Sequence, residues 1–373
     1  MLTARSFDLQ PGEAERQERL LGLIDGFATS RVLVIGDVIA DEFIYGEVAR
    51  VSREAPVLIL KYDATEMVAG GAGNAANNVA ALGGHARLVG VVGTDPEGAR
   101  LRASLQRGVD RSHVVRVRGY RTPVKTRILA GGIHSAKQQI VRIDRETDWP
   151  LSDAVSRAFA AKIGPVVEAC DAVILSDYGS GLVTPQLAEL VRRAVRRYSK
   201  RRPIPMLVDS RYRLLDYRGF TACTPNESEL EKAAGVRIDD NPKVLDRVGK
   251  LLLRRSQMDA VLVTRGSRGM ALFEVGRPPT HIPIFGSDEV ADVTGAGDTV
   301  IATFSLALAA GATFYEAAKL ANYAGGLVVM KRGTATVSAA ELAEAVTSDH
   351  DMSHEPWPEK IARRKTSKGR RRT

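Results

Sequence analysis

Four short apolar runs limit the kind of fold open to this chain. Val32-Leu-Val-Ile35 runs into Gly36-Asp37, Ala172-Val-Ile-Leu-Ser-Asp177 ends on an acid, and Met206-Leu-Val-Asp209 and Ala260-Val-Leu-Val-Thr264 take the same form. Runs that are apolar at successive positions, rather than at every second one, read as strands covered on both faces. Helical patterns lie between them, at 184–200 and 227–234. Strands alternating with helices predict βαβ units and a mainly parallel sheet with helices on both sides. At 373 residues and 44% hydrophobic content there is ample core for a large α/β unit, and a mainly disordered chain is excluded.

Two stretches break the rhythm. Within 43–62 and 114–146, β-branched segments alternate (Val57-Leu-Ile-Leu60, Val114-Val-Arg-Val117, Lys125-Thr-Arg-Ile128, Gln139-Ile-Val-Arg-Ile143), which predicts a small antiparallel sheet standing apart as a lid. Residues 1–30 read as a polar, helical leader, and 346–373 as a basic, disordered tail. The last 14 residues hold eight Lys or Arg and no acid, so the net charge of +9 falls to +1 without them. That balance argues against a nucleic-acid-binding fold and confines any such contact to an accessory role of the tail. Cys170 and Cys223 are too few for a disulfide scaffold, and a reducing, cytoplasmic setting is expected. Val300–Tyr315, interrupted by Thr303, Ser305 and Gly311, is too short to span a bilayer comfortably, so no membrane insertion is expected.

Chemistry concentrates in Asp292-Val-Thr-Gly-Ala-Gly-Asp298-Thr299, which leads into an apolar helical run. A turn of small residues at a helix start exposes the N–H groups of Gly295, Ala296 and Gly297 to an anion such as a phosphoryl group. Asp298 beside it could take the proton of an attacking hydroxyl. A glycine-rich turn capped by Asp298 before a buried helix fits the same letters. The second segment is Gly70-Gly71-Ala72-Gly73-Asn74, whose glycines permit close approach by a polar ligand, with Asn74 able to cap the following helix. Gly71-x-Gly73-x-x-Ala76 also matches a dinucleotide fingerprint, but no convincing strand precedes it, which disfavours an oxidoreductase. No Gly-x-x-x-x-Gly-Lys-Ser/Thr loop occurs, so a P-loop enzyme is excluded.

Together, Gly70-Gly71-x-x-Asn74 and Asp292-x-Thr294-Gly-Ala-Gly-Asp298 resemble the two signatures of the ribokinase-like (PfkB) carbohydrate kinases, over roughly residues 31–345. The resemblance implies a three-layer αβα sandwich with a small antiparallel β lid, and ATP-dependent phosphorylation of a sugar hydroxyl. It implies ATP and Mg²⁺, with a monovalent cation such as K⁺ as a further candidate. By the same resemblance Asp298 is the base and residues 295–297 the anion hole. Asp41, Gly70, Gly71 and Asn74 hold the sugar. Asn226 and Glu229, in Asn226-Glu227-Ser228-Glu229, orient hydrated Mg²⁺ and nucleotide phosphates. Thr264, Gly266, Gly269, Thr294 and Asn322 hold the nucleotide. Asp37 either binds sugar or caps the loop after the first strand.

Within the family, Gly36-Asp-Val-x-x-Asp41, Ser52-Arg-Glu-Ala-Pro56, Lys125-x-Arg127, Gln138-Gln-x-x-Arg142-x-Asp144 and Leu175-Ser-Asp-Tyr-x-x-Gly181 look most like the kinases of D-glycero-β-D-manno-heptose 7-phosphate. These act on the anomeric hydroxyl in ADP-heptose synthesis. Arg53, Lys125, Arg127, Lys137 and Arg142 are then candidates for the sugar's existing phosphate. Departures are Asp209-Ser-Arg-Tyr212 in place of the relatives' Asp-Pro-Lys-Gly, and the extra hairpin residues of Gly131-Gly-Ile-His-Ser-Ala136. No His-x-Gly-His element follows residue 345, so a separate nucleotidyltransferase is an expected partner in the pathway. A homodimer through the lid is expected by resemblance. The alternative substrates are another sugar, sugar phosphate or nucleoside, such as ribose, fructose or adenosine.

Overall fold

Successive residues of the predicted strands face opposite ways, and each face has its own core. On β1 (Arg31–Gly36), Val32 and Val34 enter one hydrophobic cluster while Leu33 and Ile35 enter another. On β8 (Ala172–Asp177), Ala172 and Ile174 divide from Val173 and Leu175 in the same way, as Ala260 and Leu262 do from Val261 and Val263 on β11 (Ala260–Thr264). This two-sided burial is why the runs carry no polar alternation. A computed structural model describes residues 12–131, 137–147, 153–199, 203–286, 292–331 and 333–349.

The large sheet runs β13-β12-β11-β10-β9-β8-β1-β4-β5. The members not yet given are β4 (His85–Gly93), β5 (Val109–Val117), β9 (Met206–Ser210), β10 (Ala222–Cys223), β12 (Met270–Glu274) and β13 (Thr280–Ile282). It is parallel from β11 to β5, and β12 and β13 add an antiparallel edge. One face is covered by α1 (Glu13–Asp25), α2 (Ala72–Ala81), α8 (Ala296–Ala309), α9 (Phe314–Val329) and α10 (Ala339–Ser348). The other is covered by α4 (Asp153–Glu168), α5 (Pro185–Tyr198), α6 (Glu227–Ala234) and α7 (Pro242–Ser256). The apolar run from Val300 is therefore a central helix, buried from Asp298 to Ala307. Among the described residues, no helix is long and apolar enough to cross a membrane.

The lid is a second sheet, ordered β3-β2-β6-β7. It comprises β2 (Val38–Val51), β3 (Leu58–Gly71), β6 (Val124–Gly131) and β7 (Gln138–Arg145), with α3 (Pro96–Ser104) packed against β2 and β3. Its outer pairs are antiparallel and its central pair, β2 with β6, is parallel.

Three expectations need correction. Val114–Val117 is not in the lid: β5 pairs with β4 at the edge of the large sheet, and an edge strand alternates because it is only partly covered. Residues 12–30 are not a separate leader, since Leu20, Leu23, Ile24 and Phe27 are buried at helical spacing. Gln17 also donates to the Val346 and Thr347 carbonyls, both at 3.1 Å. The folded unit extends at the other end too, because Val346 is buried and α10 continues to Ser348. Residues 1–11, the hairpin residues 132–136 and the basic tail from 350 lie outside the described residues.

Candidate active site

The close approach of α2 and α8 builds the centre of the site. Gly295, the N-cap of α8, has φ of +80°, and a Cβ there would lie 2.5 Å from the Asn74 amide nitrogen. Only glycine meets both conditions without strain. Asn74 Nδ2 thereby donates to Asp298 Oδ2 at 2.8 Å. From the loop after β8, the Tyr178 hydroxyl donates to Asp298 Oδ1 at 2.9 Å. Behind Asn74, Asn78 Nδ2 donates to its Oδ1 at 3.1 Å, and Asn78 Oδ1 accepts from the Thr299 hydroxyl at 2.9 Å. Burial pushes the Asp298 carboxyl up from its ordinary 3.8 to about 6, against the two donors, which pull it down. Such a carboxylate is ionised at neutral pH and still accepts a proton readily.

The predicted anion hole is smaller than three N–H groups. The Ala296 N–H donates to the Val293 carbonyl at 3.3 Å and closes the turn. Gly297 lies one residue further into the first turn of α8, where N–H groups lack intrahelical acceptors and the helix dipole is positive. Thr294 also belongs to the turn, its N–H donating to Asp292 Oδ1 at 2.8 Å.

On the lid side, Asp41 is buried and paired with Arg127. A Cβ at residue 70 would lie 2.2 Å from Asp41 Oδ2, so the glycine there makes room for this carboxylate. Asn74 and Asp37 both make structural bonds within the protein. Gly71 rather than Asn74 is the N-cap of α2, and the Asn74 amide donates to Asp298 and accepts from Asn78. Asp37 is buried, with Oδ2 accepting from the N–H groups of Tyr178 (2.9 Å) and Ser180 (3.0 Å), and its carbonyl accepts from Ala72 N–H at 2.9 Å. It fastens the loop after β8 to the start of α2, and burial raises its carboxyl to about 6.

The lid cations are mostly paired. Arg142 grips Asp144 with two bonds of 2.9 and 3.0 Å, and Lys137 pairs with Asp63. Lys125 forms no such pair among the described residues; its Nζ lies 4.8 Å above the Tyr178 ring, and burial, then Arg211, depress its pKa. Arg211 lies over the same ring at 4.6 Å.

A cavity of about 350 Å³ adjoins the start of α8. Its lining brings together Asn226, Thr264, Gly266, Gly269 and Asn322, with Ala296 and Gly297 at the end nearest Asp298. Asn322 Nδ2 donates to the Pro283 carbonyl at 2.8 Å and so ties the 283–286 segment to α9. Glu227, Ser228 and Glu229 are outside the lining. Glu227 pairs with Arg265 at 2.7 Å and with Arg268, while Ser228 is exposed. Asn226 and Glu229 form the capping box of α6, each side chain accepting from the other's N–H at 2.9 Å. Sequence reading missed the apolar walls, Met270, Ile284, Val300 and Val329, and the Gly325-Gly326 pair. The pair inside an otherwise apolar helical run was the available signal.

Among the described residues no group of three or more His, Cys, Asp or Glu gathers as a metal centre, and the predicted magnesium residues Asn226 and Glu229 stand beside one further acid, Asp209. Burial raises both carboxyls, and the charges of Glu229 and Asp298 raise Asp209 further, well above the carboxylate range. Oxygen donors that repel one another are stabilised by a bound cation.

These features define a phosphotransferase site: a partly open cavity, a helix N-terminus and a buried carboxylate beneath a β lid. Residues 29–341 match the family model of the pfkB family carbohydrate kinases, and the chain belongs to that family. It is an ATP-dependent sugar kinase. It is 40% identical over 325 residues to the bifunctional protein HldE of Trichlorobacter lovleyi, covering 87% of this chain and 64% of the relative. Against HldE of Caulobacter vibrioides it is 41% identical over 350 residues, covering 93% and 69%. The chain thus spans just under two thirds of the length of the first of these curated relatives. Among solved structures it is similar to Arabidopsis thaliana ribokinase complexed with ribose and ATP, with a TM-score of 0.67 at 21% identity, covering 86% of this chain and 99% of the other. It is also similar to Escherichia coli phosphofructokinase-2 in complex with potassium, with a TM-score of 0.67 at 17% identity, covering 85% and 98%.

Proposed function

We propose that the chain transfers the γ-phosphoryl group of ATP to the anomeric 1-hydroxyl of D-glycero-β-D-manno-heptose 7-phosphate, giving the 1,7-bisphosphate and ADP. The observation that carries this reading is Asp298, buried at the junction of the nucleotide cavity and the lid and held by Asn74 and Tyr178. The hydroxyl oxygen forms the new P–O bond as the bond to the β-phosphate oxygen breaks. Its proton passes to Asp298. The first turn of α8 stabilises charge on the transferring group. Magnesium held by Asp209 and Glu229, when bound, would neutralise phosphate charge. The heptose assignment is supported by the lid motifs, by similarity to HldE proteins and by Lys125, a cation left without a carboxylate partner among the described residues.

A kinase of an unphosphorylated sugar or nucleoside is the second reading. The pairing of Arg127, Lys137 and Arg142 with lid carboxylates favours it. An ADP-release assay with Mg-ATP across heptose 7-phosphate, fructose 6-phosphate, ribose, fructose and adenosine separates the two, with Asp298→Asn as control. Turnover on ribose, fructose or adenosine alone would overturn the heptose assignment and leave the kinase. Repeating it in potassium and in choline salts tests a monovalent-cation requirement. We further propose a homodimer through the lid, because Val51, Leu58, Tyr62, Ile140, Val141 and Ile143 on its strands are large, apolar and exposed. Sedimentation of a Tyr62→Glu, Ile143→Glu variant as a monomer, against a wild-type dimer, is the expected result.

A further inference from the structure

Tyr178 joins the lid, the loop after β8 and the base, and neither the motifs nor the comparisons give it a role. Its backbone N–H is held by Asp37 at 2.9 Å, its ring is flanked by Lys125 and Arg211 at 4.8 and 4.6 Å, and its hydroxyl donates to Asp298 at 2.9 Å. We infer that Tyr178 is a positioning residue for the reaction, its phenol fixing Asp298 Oδ1 and keeping the base ionised for the acceptor hydroxyl. The inference rests on Asp298 being the base.

The loop that carries Tyr178 is built to stay put. Asp177 accepts from the hydroxyls of Tyr217 (2.6 Å) and Ser210 (2.8 Å) and from the Gly179 N–H (3.1 Å), and Asp37 fixes the two residues around Gly179. A phenol on such a support donates with little entropy to lose. Burial, and then the Asp298 charge, hold the Tyr178 hydroxyl well above its ordinary value, so it keeps its proton throughout the working range and acts as donor, not as a second base. The charged groups around the pair are Asp37 and Asp177 at the ends of β1 and β8, Asp41, Lys125 and Arg127 from the lid, Asp209 and Arg211 at the end of β9, and Glu229 from α6. The cations on the ring strengthen the donor by drawing charge from it.

Tyr178→Phe keeps the ring and removes only the hydroxyl. A hydrogen bond to an ionised carboxylate favours the charged form, so its loss should move the acid limb of the kcat/KM profile up by roughly one pH unit and lower plateau kcat by about tenfold, with KM for ATP unchanged. Replacing Tyr178 by 3,5-difluorotyrosine, a stronger donor, should move the limb the other way while leaving the fold intact. An unmoved limb in both variants would overturn the inference even if Asp298→Asn is inactive. If Asp298→Asn turns over normally, the assignment of the base fails instead.

Discussion

Asp298→Asn should make the protein a poor enzyme and a more stable one. The rise of the carboxyl from 3.8 to about 6 means that keeping Asp298 charged in the folded state costs roughly 3 kcal/mol above pH 6, at about 1.4 kcal/mol per pH unit. The sign follows from proton uptake. Between pH 4 and pH 6 the folded state holds a proton that the unfolded chain has released, so this group's contribution to stability is complete below about pH 4 and lost as pH rises through about 6. An asparagine has no charge to bury. Its Oδ1 can still accept from Asn74 while its Nδ2 donates to the Tyr178 oxygen, so the phenol proton loses its acceptor, one mismatch of about 1 kcal/mol. The net gain at pH 8 is then about 2 kcal/mol, or roughly 2–3 °C in Tm for a chain of this size. Turnover should fall by about 10²–10⁴-fold, the scale of a positioned base. Thermal unfolding at pH 8 and pH 4.5, beside kinase assays at pH 8, tests both halves. The variant should gain at pH 8 and not at pH 4.5; equal destabilisation at both would refute the buried-charge argument, and near-normal turnover would remove Asp298 from the chemistry.

Other perturbations separate the parts of the site. In the wild-type enzyme kcat/KM should fall as pH drops below about 6, as Asp298 becomes protonated; a flat profile down to pH 5 would contradict that assignment. Gly70→Ala places a Cβ against Asp41 Oδ2 and should raise KM for the sugar more than tenfold while leaving KM for ATP unchanged in initial-rate assays. Asn226→Ala removes the α6 capping box and should cost about 1 kcal/mol in urea unfolding. Glu229→Gln, by contrast, should raise the Mg²⁺ concentration needed for half-maximal rate, which a magnesium titration reads directly. Asn322→Leu strips the Pro283 carbonyl of its donor and should raise KM for ATP several-fold, with the sugar KM as internal control.

What the sequence made legible follows from where each signal comes from. The parallel sheet was readable because two-sided burial leaves unbroken runs such as Val32–Ile35 and Ala172–Leu175, a local consequence of a global arrangement. The helix start at Ala296 was readable from Gly295 and Gly297, since turn chemistry is also local. Val114–Val117 misled because a half-covered edge strand of the large sheet alternates as a lid strand does. Residues 12–30 misled because the buried Leu20, Leu23 and Ile24, with Phe27 in the turn that follows, anchor a helix whose other positions are rich in Arg and Glu.

The proposed base shows why the remainder was hidden. Asp298 comes late in the chain, yet its two donors are Asn74 and Tyr178, brought to it from α2 and from the loop after β8. Each of those has its own support from elsewhere, Asn74 from Asn78 and Thr299, and Tyr178 from Asp37. No spacing rule connects residues 37, 74, 178 and 298. What connects them is the parallel topology, which sets the carboxyl ends of β1 and β8 side by side and lays α2 and α8 across that edge. The motif at 292–298 therefore marks the proposed base, while the burial that raises its carboxyl and the donors that orient it are properties of the sheet order. Changing Tyr178 or Asn74 should alter the pH dependence of a reaction whose motif remains untouched, and that separates the chemistry written in the segment from the chemistry supplied by the fold.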